Sequence, residues 1–92
     1  MSAVRERMIA TTYNNLKIRM WVNVTLTPQE QWTPSLDACM QVLDEQLFEA
    51  EKRLISTPEL LAEWLAANVV HCNAVEVLRP NGSGALVYPD WP

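Results

Sequence analysis

Between Leu16 and Leu26 the chain alternates without a miss: Leu16, Ile18, Met20, Val22, Val24 and Leu26 are apolar, and Lys17, Arg19, Trp21, Asn23 and Thr25 stand between them. A period of two is the pattern of a β-strand with one face buried and the other turned to water. At helical spacing the same side chains would scatter around the axis. This strand is expected to be the centre of a sheet, and the rest of the chain has to supply what covers it.

The material for that cover is limited. A chain of 92 residues is one small domain, and at this size folding buries roughly 60% of the surface that the unfolded chain exposes. One modest core is available, without room for a deep enclosed active site. With 49% hydrophobic and 20% charged residues the composition is that of a globular protein, not a disordered one. No apolar run approaches the roughly 18–20 residues that span a bilayer. Met1 to Ala10 mixes Arg5, Glu6 and Arg7 with small apolar residues and has no signal-peptide core. The expected setting is the cytoplasm, away from membranes. There Asn23-Val24-Thr25 and Asn81-Gly82-Ser83 are incidental matches to the glycosylation pattern, and Cys39 and Cys72 are expected to be two small buried hydrophobes without a disulfide.

The net charge of −4 is unevenly placed. Before residue 20, Arg5, Arg7, Lys17 and Arg19 face only Glu6. From residue 30 to 63, Glu30, Asp37, Asp44, Glu45, Glu49, Glu51, Glu59 and Glu63 face only Lys52 and Arg53. The pattern predicts a mildly basic sheet region under an acidic helical layer.

Along the chain, Arg7 to Tyr13 is rich in β-branched and aromatic residues and predicts a first strand. Asn14-Asn15 suits a tight two-residue turn that needs positive φ, giving an antiparallel hairpin; the longer second strand should pair elsewhere at its far end. Thr27-Pro28-Gln29-Glu30 has the marks of a helix start, but Pro34 limits it to a single turn ending at Trp32. From Ser35 to about Ile55 the period becomes helical, with Leu36, Met40, Leu43, Leu47, Ala50 and Leu54 as one apolar stripe and Cys39 at its edge. Ser56 or Thr57 caps a second helix that Pro58 opens, which carries Leu60, Leu61, Trp64 and Leu65 and stops near Asn68. Val69 to Leu78 predicts a strand, Pro80 to Gly84 a turn, and Ala85 to Tyr88 a last strand that Pro89 keeps at an edge. Asp90-Trp91-Pro92 is a tail. The predicted fold is α+β, a single domain over residues 1–92: a four-stranded, mostly antiparallel sheet made of two hairpins in the order β-β-α-α-β-β, with both helices packed on one face.

Few residues offer chemistry. His71, beside Cys72, matches no zinc-ligand spacing. As strand neighbours the two would point to opposite faces and could not form a nucleophile pair. Both glycines fall in one turn, so no phosphate-binding loop exists. The acids fall on helix faces turned to solvent, where no raised pKa fits them for acid–base work. The chain is therefore expected to be no enzyme, to need no cofactor or metal, and to take no small-molecule substrate.

Two surfaces stand out as partner-binding candidates. On the long helix Asp37, Asp44 and Glu51 are seven residues apart and line one edge at about 10 Å intervals. Phe48 and Ile55 project from the same flank, and Glu45 and Glu49 lie on the outer face opposite. Either these charges solvate the helix, with Glu49 pairing Arg53, or they dock on a basic partner in competition with nucleic acid. On the open face of the sheet, Lys17, Arg19 and Trp21 fit a bare structural surface, an anchor for a protein partner, or a minor direct contact to nucleic acid.

In its size, its acidic helical layer (Asp37, Asp44, Glu45, Glu49, Glu51) and its want of catalytic and export signals, the chain resembles the small phage-type inhibitors of bacterial defence complexes, anti-CRISPR proteins among them. The resemblance implies a stoichiometric inhibitor that evades host defence by binding a large protein or ribonucleoprotein complex at a basic surface and blocking target-DNA binding. The rival classes are an antitoxin or immunity-type protein that neutralises a basic toxin, and a structural or assembly accessory that associates through a strand edge.

Overall fold

A computed structural model describes residues 4–25, 35–69 and 71–89. The expected single turn at residues 27–34, Leu26 and the tail at residues 90–92 lie outside them. The described chain runs β1 (Val4–Tyr13), β2 (Leu16–Thr25), α1 (Leu36–Lys52), α2 (Pro58–Asn68), β3 (Cys72–Leu78) and β4 (Gly84–Val87). The strands form one antiparallel sheet in the order β1-β2-β3-β4, and both helices pack against the same face of it. The α+β fold in the order β-β-α-α-β-β is the one the sequence predicts.

The first hairpin follows from its turn. Asn14 and Asn15 both have positive φ, 48° and 69°, which matches the right-handed twist of the flanking strands. Pairing then runs from Tyr13↔Leu16 to Val4↔Thr25 without a slip. β1 starts at Val4, not Arg7, so β2 is not the longer strand and its far end stays paired within the hairpin. β2 instead uses its second edge on β3, from Lys17↔Leu78 to Val22↔Cys72, with a register shift between Trp21 and Val22. At that shift the Asn23 N–H donates to the His71 carbonyl at 3.0 Å, and His71 takes a φ of 67°. β3 therefore begins at Cys72, not Val69, and His71 belongs to the turn before it. The second hairpin closes through Gly82, at a φ of 89°, and β4 is an edge strand as expected, shifted by one residue to Gly84–Val87. Gly84 has no room for a side chain, because a Cβ there would collide with the Val77 carbonyl.

Leu16, Ile18, Met20, Val22 and Val24 all face the helices and are buried. They meet Val75 and Val77 of β3, Cys39, Leu43, Leu47 and Ala50 of α1, and Leu61, Ala62, Leu65 and Ala66 of α2. Each large aliphatic side chain so enclosed contributes roughly 1.5–3 kcal/mol. No polar or charged residue is buried among the described residues, so the core carries no desolvation debt of that kind.

Both helices start where the sequence places them. Ser35 Oγ accepts the Ala38 N–H at 3.2 Å and Thr57 Oγ1 accepts the Leu60 N–H at 3.2 Å, with Pro58 in the first turn of α2. The apolar stripe of α1, however, is rotated from the expected one: Cys39 lies at its centre, while Leu36 and Leu54 are exposed. The cause at the carboxyl end is a helix stop. The Ile55 N–H donates to the Ala50 carbonyl and the Leu54 N–H to the Glu51 carbonyl, and Leu54 adopts a φ of 57°. This is the Schellman arrangement, which normally places glycine at that position. Ile55 does not project from the acidic flank; it turns back onto the core, and its carbonyl accepts the Tyr13 hydroxyl at 2.9 Å.

Leu54 is 86% exposed, so its side chain offsets almost none of the roughly 1–2 kcal/mol that a left-handed L-residue costs. Leu54→Gly is expected to stabilise the fold by about 0.5–1 kcal/mol after the larger unfolded-state entropy of glycine is counted. Urea unfolding monitored by circular dichroism reads this directly; a midpoint unchanged or lowered contradicts the assignment.

Candidate functional site

The described residues hold two distinct surfaces on opposite sides of the molecule. The first is the outer side of α1. Its inner side is fixed by Cys39, Leu43, Leu47 and Ala50 in the core, so helical spacing turns Asp37, Asp44, Glu45 and Glu51 outward, and all four are exposed. None of these four takes part in an ion pair among the described residues. Glu49 is half-buried and pairs with Lys52 at 3.4 Å, not with Arg53. Arg53 instead lies over the Trp64 ring at 4.9 Å, and the Trp64 indole N–H donates to the Gln46 carbonyl at 3.1 Å, so both groups clamp α2 to α1. Phe48 stands out from the acidic side with 59% of its surface exposed. Lys52 covers its ring at 4.6 Å.

The second surface is the sheet face that no described helix covers. Lys17, Arg19 and Trp21 all project there from β2, because the alternate residues point into the core. Lys17 is exposed and Trp21 half-buried. Arg19 is not a free cation: its Nη2 sits 2.6 Å from Glu76 Oε1 on β3. That oxygen is shielded from water and has no well-angled hydrogen bond, so its compensation is the guanidinium charge itself. The basic patch thereby shrinks to Lys17, and stacking of nucleic acid on Trp21 loses its expected cationic neighbour. The acidic group and the Lys17, Arg19, Trp21 group do not meet.

The register adds residues to the open face that sequence reasoning missed. Met8 pairs across from Trp21, Ala74 lies on its other side, and Leu86 pairs across from Glu76. Trp21, Ala74, Leu86 and Tyr88 line one shallow hollow with Glu6 and Asn73. Met8, Leu86 and Tyr88 are 49%, 48% and 69% exposed. Beside them Asn73 donates to Glu6 at 2.6 Å and exchanges hydrogen bonds with Asn23. The period-two pattern of β2 was the available signal, but only the register shows which residues stand beside Trp21.

The thiols belong to neither surface. Cys39 and Cys72 are free and buried. Burial pushes Cys39 upward from the ordinary 9.0, and it pushes Cys72 up to about 11 against a smaller lowering by a hydrogen bond from the Ala74 backbone. Both are therefore neutral thiols near pH 7, not nucleophilic thiolates. Tyr13 is also raised, by burial first and then by the charge of Glu51.

The fold favours the protonated thiol, so the stability tied to Cys72 is complete below pH 9 and is lost as pH rises through 9 toward 11. We expect a loss on the order of 2 kcal/mol over that range from this group, read by urea unfolding at successive pH values. Cys72→Ala should lower stability at pH 7 and flatten its fall above pH 9; an equally steep fall in the variant refutes the assignment.

No protein-family model matches the chain, and no curated protein or solved structure matches it either.

Proposed function

We propose that this chain is a non-catalytic binding protein that inhibits a larger protein or ribonucleoprotein complex by occupying its basic, nucleic-acid-binding surface, in the manner of an anti-CRISPR protein that blocks target-DNA binding. The observation that carries this reading is the outer side of α1. Asp37, Asp44, Glu45 and Glu51 are exposed and unpaired among the described residues, and Phe48 stands among them. Carboxylates repeated along a rigid helix present negative charge to a partner's Lys and Arg residues much as phosphates would. Electrostatic complementarity of this kind steers encounter and selects the partner. Affinity then needs a desolvated anchor near the centre of the contact, and Phe48 is placed to supply one. An interface of ordinary size takes roughly 800 Å² from each partner, which engages most of one side of so small a domain.

A further feature favours contact as the mode of action. The acidic layer is held stiffly, by four core residues of α1 and by the clamp of Trp64 and Arg53, so little ordering is required on binding.

Affinity capture from host extract, followed by binding measurements across a salt series, tests the proposal. Capture of a multi-subunit complex containing RNA is expected, with binding that weakens as salt rises. The triple variant Asp37→Asn, Asp44→Asn, Glu51→Gln should weaken it roughly 10- to 100-fold and flatten the salt dependence. Phe48→Ala should raise the off-rate with little change in salt dependence. Unchanged binding by the triple variant removes α1 from the interface. Capture of a single small basic enzyme instead transfers the same surface to an antitoxin role.

A further inference from the structure

We infer that the open face of the sheet is a self-association surface, on which a second copy of this chain packs face to face about a two-fold axis. Its apolar content is the first argument. Met8, Leu86 and Tyr88 are about half exposed or more and adjoin Trp21 and Ala74, forming an apolar group on one face. Such a patch rimmed by polar residues marks a contact surface. Four strands at ~4.8 Å spacing and at most ten residues at ~3.3 Å give a plate of up to roughly 19 by 33 Å, the scale of a small stable interface.

Charge identifies the occupant. Elsewhere the molecule is acidic, but this face carries Glu6, Lys17, Arg19 and Glu76, two charges of each sign. A face that is neutral overall does not select a strongly basic or acidic partner, and it lets two copies, each of net charge −4, meet where their mutual repulsion is least. The acidic sides of α1 then point outward on both copies.

The arrangement of the charges is also self-complementary. Glu6 pairs across from Asn23 at one end of β2, and Lys17 lies at the other end, six residues away along the strand, or roughly 20 Å. A two-fold axis lying between the two sheets and perpendicular to the strands exchanges those ends. It lays Glu6 of each copy over Thr12 of the other, with Lys17 one strand, ~4.8 Å, to the side and within reach of the carboxylate. The same operation lays the row of Met8, Trp21 and Ala74 over the row of Ala10, Arg19 and Glu76, so that each indole meets a guanidinium already neutralised by Glu76. Sheets packed in this way lie about 10 Å apart with their strands rotated by about 30°. The pairing is isologous, as a closed dimer requires.

Sedimentation velocity of the full chain over about 1–100 µM tests this, since a dimer responds to concentration by mass action. A monomer–dimer equilibrium is expected. Leu86→Lys and Tyr88→Lys should each raise the dissociation constant at least roughly tenfold, with the circular dichroism spectrum and a cooperative thermal transition retained. Glu6→Lys and Lys17→Glu should each weaken self-association, because each sets like charges opposite one another. An equimolar mixture of these two variants should recover a dimer containing one of each. That recovery separates pairing across the interface from any local effect of losing the Glu6–Asn73 hydrogen bond. A monomer at every concentration overturns the inference and leaves the face to the chain's own tail or to another partner. A dimer indifferent to all four substitutions overturns it equally and moves the contact to a strand edge.

Discussion

Five side chains on one face of β2 leave water together, and the other elements are arranged by that event. Leu16, Ile18, Met20, Val22 and Val24 form an unbroken apolar row, and burying such a row is worth on the order of 10 kcal/mol before the entropy of ordering the chain is subtracted. Both helices are recruited to one side of the sheet to provide that burial. The alternation that makes the row also forces Lys17, Arg19, Trp21 and Asn23 to the opposite side, whatever their chemistry. A sheet face that no described helix covers and an acid-coated helical face are thus two consequences of a single period-two stretch.

The sheet tolerates this one-sided cover because the polar side is tied together by its own residues. The ion pair of Arg19 with Glu76 and the network of Glu6, Asn23 and Asn73 cross-link three strands on the side that α1 and α2 do not cover. Each such link is modest where water reaches it. Their joint effect is to fix the register that β2 needs, since a slip of one residue would turn its whole apolar row to solvent. The shift at Trp21 and Val22 is where that demand is reconciled with the chain entering from α2: His71 takes a left-handed conformation and lends its carbonyl to Asn23.

Much of this was legible in the residues. The hairpin turn at Asn14-Asn15, the cap at Thr57 and the order of elements follow from local chemistry that tertiary structure did not override. What escaped reading was set by distant contacts. Leu54 fits a helical stripe on paper, yet the helix ends two residues before it, because a Schellman closure with Ile55 returning to the core outcompetes another turn. Arg19 reads as a free cation until the register sets Glu76 across from it. Arg53 reads as a partner for Glu49 until Trp64 arrives from the next helix. The apolar group on the open face was hidden for the same reason: Met8, Trp21, Ala74 and Leu86 come from four different strands, and no local period relates them.

The two exposed faces are suited to different kinds of contact, and the difference lies in how each is neutralised. On the sheet every charge named has an opposite partner on the same face, either bonded already, as Arg19 and Glu76 are, or at the far end, as Lys17 and Glu6 are. A surface balanced in this way gains little from long-range attraction, so whatever it binds must be held by apolar contact and by matching of charges at short range. On α1 Asp37, Asp44, Glu45 and Glu51 have no such pairing among the described residues, and their field extends into solvent over about a Debye length, roughly 8 Å at physiological salt. On the proposed reading such a field would draw a basic partner from a distance, and Phe48 would supply the short-range hold. If two copies join through their sheets, the acidic faces are carried on opposite outer sides, and a partner with two basic sites spaced to match would gain avidity with no new contact within either interface.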